Sequence, residues 1–195
     1  MLLARVEGAL SFESAKVLGG VGSILVVLSM IPHAWPLGVV GLILLLIALR
    51  ELSRYYGDPS IFDNALIAVI LAVIGLLIGG LVVAASVLAV MPPMGVHFPI
   101  VGMAMHWSVS LASVLIFFLV LFGIAVVSAV FFRRSLYTLA WQSGEDLFRV
   151  AGLLYLIGAV LVIAFGVGLL IILVAFIVMA VAFFTLRPRA EGAAF

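Results

Sequence analysis

Charge is what this chain has least of. Only 9% of its residues are Asp, Glu, Lys or Arg, against 68% hydrophobic residues, and the mean hydropathy is +1.53. A soluble domain of 195 residues needs far more polar side chains to cover its surface. The scarcity excludes water as the solvent for most of the outer surface and points to a polytopic helical membrane protein. Cysteine is absent, which excludes disulfides, thiolate metal sites and a cysteine nucleophile. A net charge of +1 gives no basis for a nucleic-acid partner. No nucleotide loop, Ser/His/Asp set or HExxH motif occurs, so the chain reads as non-enzymatic, with no cofactor expected. No Asp, Glu, Lys or Arg lies deep in an apolar run, which disfavours proton- or cation-coupled transport and leaves a small-solute transporter or channel as an alternative. Arg5, Glu7, Glu13 and Lys16 interrupt the N-terminal apolar residues, so no cleavable signal is expected.

Long apolar runs are plentiful. Residues 1–16 read as a short interfacial helix or a polar tail. The first run, from Val17 to Ile31, ends at Pro32 and Pro36, with Trp35 suited to a membrane–water boundary. The second, from Leu37 to about Leu49, stops at RELSRYYGDP. The third starts after Asp58-Pro59-Ser60, where Asp58 reads as an N-cap before Pro59, or Ser60 and Asp63 as a capping box. It continues uncharged from Asn64 to Met91, longer than a bilayer core requires. MPPMGVHFPIVGMAMHW reads as a loop. The fourth run, Ser108 to Phe132, is expected to close at Arg133-Arg134, followed by an amphipathic connector in which Ser143 and Asp146 have capping-box spacing. The last stretch, from Val150 to Leu186, divides at Gly166-Val167-Gly168, because glycines permit a tight turn.

With six crossings, Arg5, Lys16, Arg50, Arg54, Arg133, Arg134, Arg149, Arg187 and Arg189 all fall on one side, together with the acidic residues. Five crossings would move Arg187 and Arg189 outside, against the positive-inside rule. The expected architecture is therefore an all-α membrane protein, a six-transmembrane-helix bundle of three consecutive hairpins, in the cell membrane. The spans are 15–32, 37–54, 61–91, 107–132, 147–165 and 168–187, with N and C termini cytoplasmic. The first and last hairpins look weakly alike. GGVGSILVVL matches YLIGAVLVIA, and GVVGLILLLIAL matches GVGLLIILVAFIV, through duplication or through shared low complexity. Gly75-x-x-x-Gly79 lets another helix approach closely and suggests that the third helix is central.

Two surfaces are candidates for function. On the outer side, His33, His97 and His106 with Met94 and Met105 combine imidazole and thioether, a set suited to copper or, through two histidines, to haem. The plainer reading is methionines filling gaps and histidines at a wet interface. On the cytoplasmic side, Arg50, Arg54, Tyr55, Tyr56, Asp58 and Asn64 crowd one connection, and Arg133, Arg134 and Arg149 the next. These residues pair among themselves, bind anionic headgroups or dock a partner. The expected partners are the lipid bilayer and other subunits of a membrane complex or further copies of the chain. The role expected is a scaffold or subunit.

VLGGVGSILVVLSMIP, GVVGLILLLIALRELSRYYGDPSIFDNAL, DLFRVAGLLYLIGAVL and the terminal AFF resemble a mainly archaeal family of multi-pass membrane proteins known as domain of unknown function 996. The resemblance covers most of the chain and is strongest through 17–66 and 147–184. Its most specific part is Leu52, Tyr55, Tyr56, Asp58, Ser60, Ile61, Phe62, Asn64, Ala65 and Leu66. It implies membrane class and carries over no catalytic residue. The His/Met loop is not part of the pattern.

Overall fold

The computed structural model describes residues 2–31, 33–90, 100–162 and 166–188. Six helices run through them, with no strand among the described residues: α1 (Leu2–Leu28), α2 (Trp35–Tyr56), α3 (Ser60–Val90), α4 (Ile100–Ser143), α5 (Leu147–Leu161) and α6 (Val167–Thr185). Each helix packs on the next, and α6 packs back on α1, so three consecutive hairpins close on one another. Among the described residues four segments are long and apolar enough to cross a membrane: Trp35–Tyr56, Ser60–Val82, Leu115–Ser143 and Val167–Thr185. α5 is apolar but shorter, at 15 residues.

Close backbone contact holds the first and last hairpins. A Cβ on Gly22 would lie 2.7 Å from the Gly41 carbonyl oxygen, and one on Gly41 would lie 2.6 Å from that of Gly22. α5 and α6 meet the same way, since a Cβ on Gly158 would lie 2.9 Å from the Gly168 oxygen. Helices in lipid associate by such packing, because burying apolar surface there gains little. Gly22 and Gly158 hold the same place in the matched segments GGVGSILVVL and YLIGAVLVIA, so the likeness of the two hairpins has a structural counterpart. The division of the last apolar stretch is present. Gly166, at φ 81°, precedes α6, whereas Gly168 lies inside α6 as a packing residue. Hydroxyls tie the middle hairpin. The buried Ser128 Oγ donates to the Ala68 carbonyl at 2.8 Å, and the buried Ser135 Oγ donates to that of Ile61 at 2.5 Å.

The core gathers at one end of the bundle. Phe12, Leu52, Ile61, Leu139, Phe148, Phe183 and Leu186 are buried there in one cluster to which all six helices contribute. Phe148 and Phe183 meet edge to face, with ring centres 5.0 Å apart. Charged side chains ring this end, which is called the charged end below. Away from it, α3 and α4 outrun the other helices. At 1.5 Å per residue α3 is about 46 Å long and α2 about 33 Å. Along the half of this hairpin away from the charged end, called the overhang below, Leu76, Leu81, Leu115 and Leu119 are 69–76% exposed.

Four expectations are corrected. α1 runs unbroken from Leu2, with no separate interfacial helix, because its first turns are rich in Leu, Ala, Arg and Glu and contain no proline. α4 does not close at Arg133-Arg134. It continues to Ser143 because Ser135, Leu136 and Leu139 keep its inner face buried, while arginine is itself a good helix former. Residues 100–107, read as loop, are the first turns of α4. α3 is not central. Its glycines are occupied by its own hairpin partner, where Gly75 faces Ile124 and Gly79 faces Leu121.

Candidate interaction surface at the charged end

The connection between α2 and α3 is a knot of local hydrogen bonds. Gly57 ends α2 in the left-handed conformation at φ 71°, and its N–H donates to the Ser53 carbonyl. The Asp58 N–H donates to the same oxygen at 3.1 Å, and Ser53 Oγ donates to the Asp58 carbonyl at 2.9 Å. Asp58 then caps α3. Its Oδ1 accepts the Ser60 N–H at 3.0 Å and the Ser60 hydroxyl at 2.7 Å. This is the Asp58–Pro59 cap, since Ser60 donates backwards to Asp58. Asp58 Oδ2 accepts from Gln142 Nε2 at 3.3 Å, linking the cap to the end of α4. The Ser60 hydroxyl holds the Asp58 carboxyl below its ordinary pKa, opposed by partial burial and aided by the Ser60 N–H and Gln142. A carboxylate that accepts three donors is stabilised in its ionised form.

Tyr55 joins this knot to α1 by packing at a 45° tilt on Phe12, with ring centres 4.8 Å apart, and Tyr56 meets Tyr55 edge on at 5.1 Å. Asn64 is half-buried one turn into α3. The expected pairing among charges is sparse. The ion pair among the described residues is Arg54–Glu51 at 3.7 Å, one turn apart on the exposed side of α2. Contacts of this kind contribute little, about 0.3–0.5 kcal/mol. Arg50 is exposed and stands apart from that pair. Arg134 lies over the Phe131 ring at 5.7 Å, and Arg149 over the Tyr137 ring at 5.8 Å.

The candidate residues therefore fall into two groups. Tyr55, Tyr56 and Asp58 belong to the α2–α3 knot. Arg133 and Arg149 belong to the seam between α4 and α5. Ser53, Gln142, Tyr137 and Trp141 were missed. The last three lie in the segment read as a connector, and its amphipathic pattern was the signal available for them. Ser143 does not form the expected capping box with Asp146, whose side chain makes no cap bond. Instead the Ser143 hydroxyl donates to the Leu139 carbonyl at 2.7 Å and accepts the Glu145 N–H at 3.3 Å.

On the opposite side, His33 sits exposed in the α1–α2 turn at φ 73°. Met94 and His97 lie outside the described residues. Met105 and His106 fall in the first turns of α4 by their backbone. Counting 1.5 Å per residue, His106 stands about 54 Å along α4 from Gln142, and Trp35, beside His33, about 32 Å along α2 from Tyr56. Among the described residues no three His, Asp or Glu are grouped to hold an ion.

The class that these features define is an all-helical protein with, among the described residues, four helices long and apolar enough to cross a membrane. Within that class, residues 37–177 match the family described as protein of unknown function DUF996, and the chain belongs to it. The chain is also similar to the uncharacterized protein MJ1644 of Methanocaldococcus jannaschii, with 31% identity over 179 residues, covering 91% of this chain and 94% of that protein. No solved structure matches.

Proposed function

We propose that this protein is a non-catalytic integral membrane component, a scaffold or subunit of a larger membrane complex. In this reading the chain crosses the cell membrane six times with both termini in the cytoplasm. The observation that carries it is the uneven packing of the bundle. All six helices contribute to one closed core, while among the described residues the outer halves of α3 and α4 carry a row of large exposed apolar side chains. A pair of helices longer than its neighbours, with apolar side chains all round, suits contact with other membrane helices. Support for the topology is the charge. Arg50, Arg54, Arg133, Arg134, Arg149 and Arg187 share the end where Phe12 and Leu186 are buried, as the positive-inside rule requires of a cytoplasmic face.

The test is gentle solubilisation from the native membrane after photo-crosslinkers are placed at Leu77 and Leu119. A stoichiometric protein partner, or a second copy of the chain, crosslinked from these sites supports the reading. A monomer that crosslinks to lipid alone removes it. For the topology, a tag at Gly166 is expected to be reachable from outside, and a reporter fused after Phe195 to be active in the cytoplasm.

A further inference from the structure

On the outer side of the α4–α5 seam, at the charged end, two arginines are held in place without a carboxylate. Arg133 lies against α5 at Gly152, where a Cβ would sit 3.3 Å from the Arg133 Cα and 3.5 Å from its Cγ. Arg149, one turn before Gly152 on α5, reaches across the seam and places its guanidinium over the Tyr137 ring at 5.8 Å. Tyr137 and Trp141 follow Arg133 at four-residue spacing, so these three side chains share one face of α4. Trp141 is 75% exposed. Beside it an open hollow of about 280 Å³ is lined by Ala140, Trp141, Gly144, Asp146 and Arg149. Asp146 is not ion-paired with Arg149, nor is Arg133 with any acid among the described residues. Three arginines (133, 134 and 149) face two acids (Glu145 and Asp146) here, which leaves the local charge positive.

Running from the arginines toward the other end of the bundle, the seam becomes apolar. Leu153, Ile157 and Val160 on α5 and Val120 and Val127 on α4 are exposed. Gly123 adds no side chain and has open space beside it. A cationic notch with an exposed tryptophan at its rim, continued by an apolar groove, matches an amphiphile with an anionic head. Tryptophan and tyrosine favour the headgroup level of a bilayer, and guanidinium groups bind phosphate oxygens with paired donors.

We infer that the α4–α5 seam binds the phosphate headgroup of an anionic membrane lipid between Arg133 and Arg149, with its chains laid along Leu153, Ile157 and Val160. Tyr137 holds Arg149 in position, and Gly152 lets Arg133 reach the same phosphate. The site needs only that α4 and α5 lie in a bilayer, and it does not depend on the number of crossings or on a protein partner.

Ile157→Trp in a Trp35→Phe/Trp107→Phe/Trp141→Phe background puts a single tryptophan beside the proposed chains, since those three are the tryptophans of the chain. The protein is placed in phosphatidylcholine vesicles containing a minor share of brominated phosphatidylglycerol or, separately, of brominated phosphatidylcholine. With two arginines at the membrane surface, the anionic lipid is expected to reach half-quenching at roughly tenfold lower mole fraction than the neutral one. Arg133→Gln/Arg149→Gln should abolish the preference, and Arg187→Gln should keep it. Equal quenching by both lipids overturns the inference. So does a preference that survives the double variant or is lost equally in Arg187→Gln, which would mark general surface charge. Displacement of the brominated lipid by millimolar inorganic phosphate would identify a soluble phosphate ligand and overturn the assignment to lipid. If the double variant does not fold, the single variant Arg149→Gln, at an exposed position, takes its place with the same outcomes.

Discussion

The charged end and the overhanging half of the α3–α4 hairpin are built from similar side chains and behave differently. At the charged end leucine and phenylalanine are buried among neighbours from all six helices. In the overhang leucine is just as frequent, yet Leu76, Leu81 and Leu115 are at least 70% exposed. The difference does not lie in hydrophobicity. It lies in the small residues and hydroxyls that let helices approach at the charged end, such as Gly19 beneath Phe183, Gly152 beside Arg133 and Leu136, and Ser135 with the Ile61 carbonyl. In a bilayer an apolar side chain gains little by leaving lipid for protein, so packing shape and polar contacts decide which surfaces close.

That contrast can be broken from either side. The largest effect is expected at Phe183, which is fully buried against Phe148 and seated over Gly19. Phe183→Ala should destabilise by about 3–5 kcal/mol, read as loss of helical signal on heating in detergent. A melting curve like that of the wild type would mean that the core at the charged end is not tightly packed. Next comes Gly158→Leu, which forces a side chain into the Gly168 backbone and should cost about 1–3 kcal/mol or more. If the hairpins share one device, Gly22→Leu should behave alike. A cost for one and not the other would separate them.

Asp58→Ala removes the cap of α3 and should cost about 0.5–2 kcal/mol. Its pH dependence has a definite sign. The folded state lowers the Asp58 pKa below the ordinary 3.8, so the contribution is present above that value and is lost as pH falls through the lower, folded value. The stability gap between wild type and Asp58→Asn should therefore narrow only below about pH 4. A gap that narrows near neutrality would assign the effect to another group. The smallest effect belongs to the overhang. Leu77→Ala should change the stability of the isolated protein by no more than about 0.5 kcal/mol, while weakening recovery of any partner that crosslinks from that position. A large loss of stability in the isolated chain would show that the hairpin is already covered within the protein.

Much of this was legible in the sequence. Pro59 after Asp58 marked the start of α3, and Gly166 marked the break between α5 and α6, because each residue acts through its own backbone geometry. What failed were the positions where local chemistry competes with packing. Arg133 and Arg134 read as the end of a helix because charge normally leaves the bilayer there, but Ser135, Leu136 and Leu139 carry the inner face of α4 onward. Gly75 and Gly79 read as a mark of a central helix, but the spacing does not say which neighbour takes the space, and α4 takes it. Tyr137 and Trp141 passed unnoticed as site residues because their importance comes from Arg149 and Gly152, which α5 brings back beside them.

By itself the sequence determined the apolar character of the protein's surface, the number of helices among the described residues and most of their starts and stops. Those properties follow from composition, periodicity and the backbone preferences of glycine and proline, all of which act within a few residues. Only the tertiary structure decided which glycines face each other, that Asp58 reaches Gln142, and that Arg133 and Arg149 share one seam. These contacts join residues distant in the chain, and nearly uniform apolar helices carry little local information about which of their faces will meet.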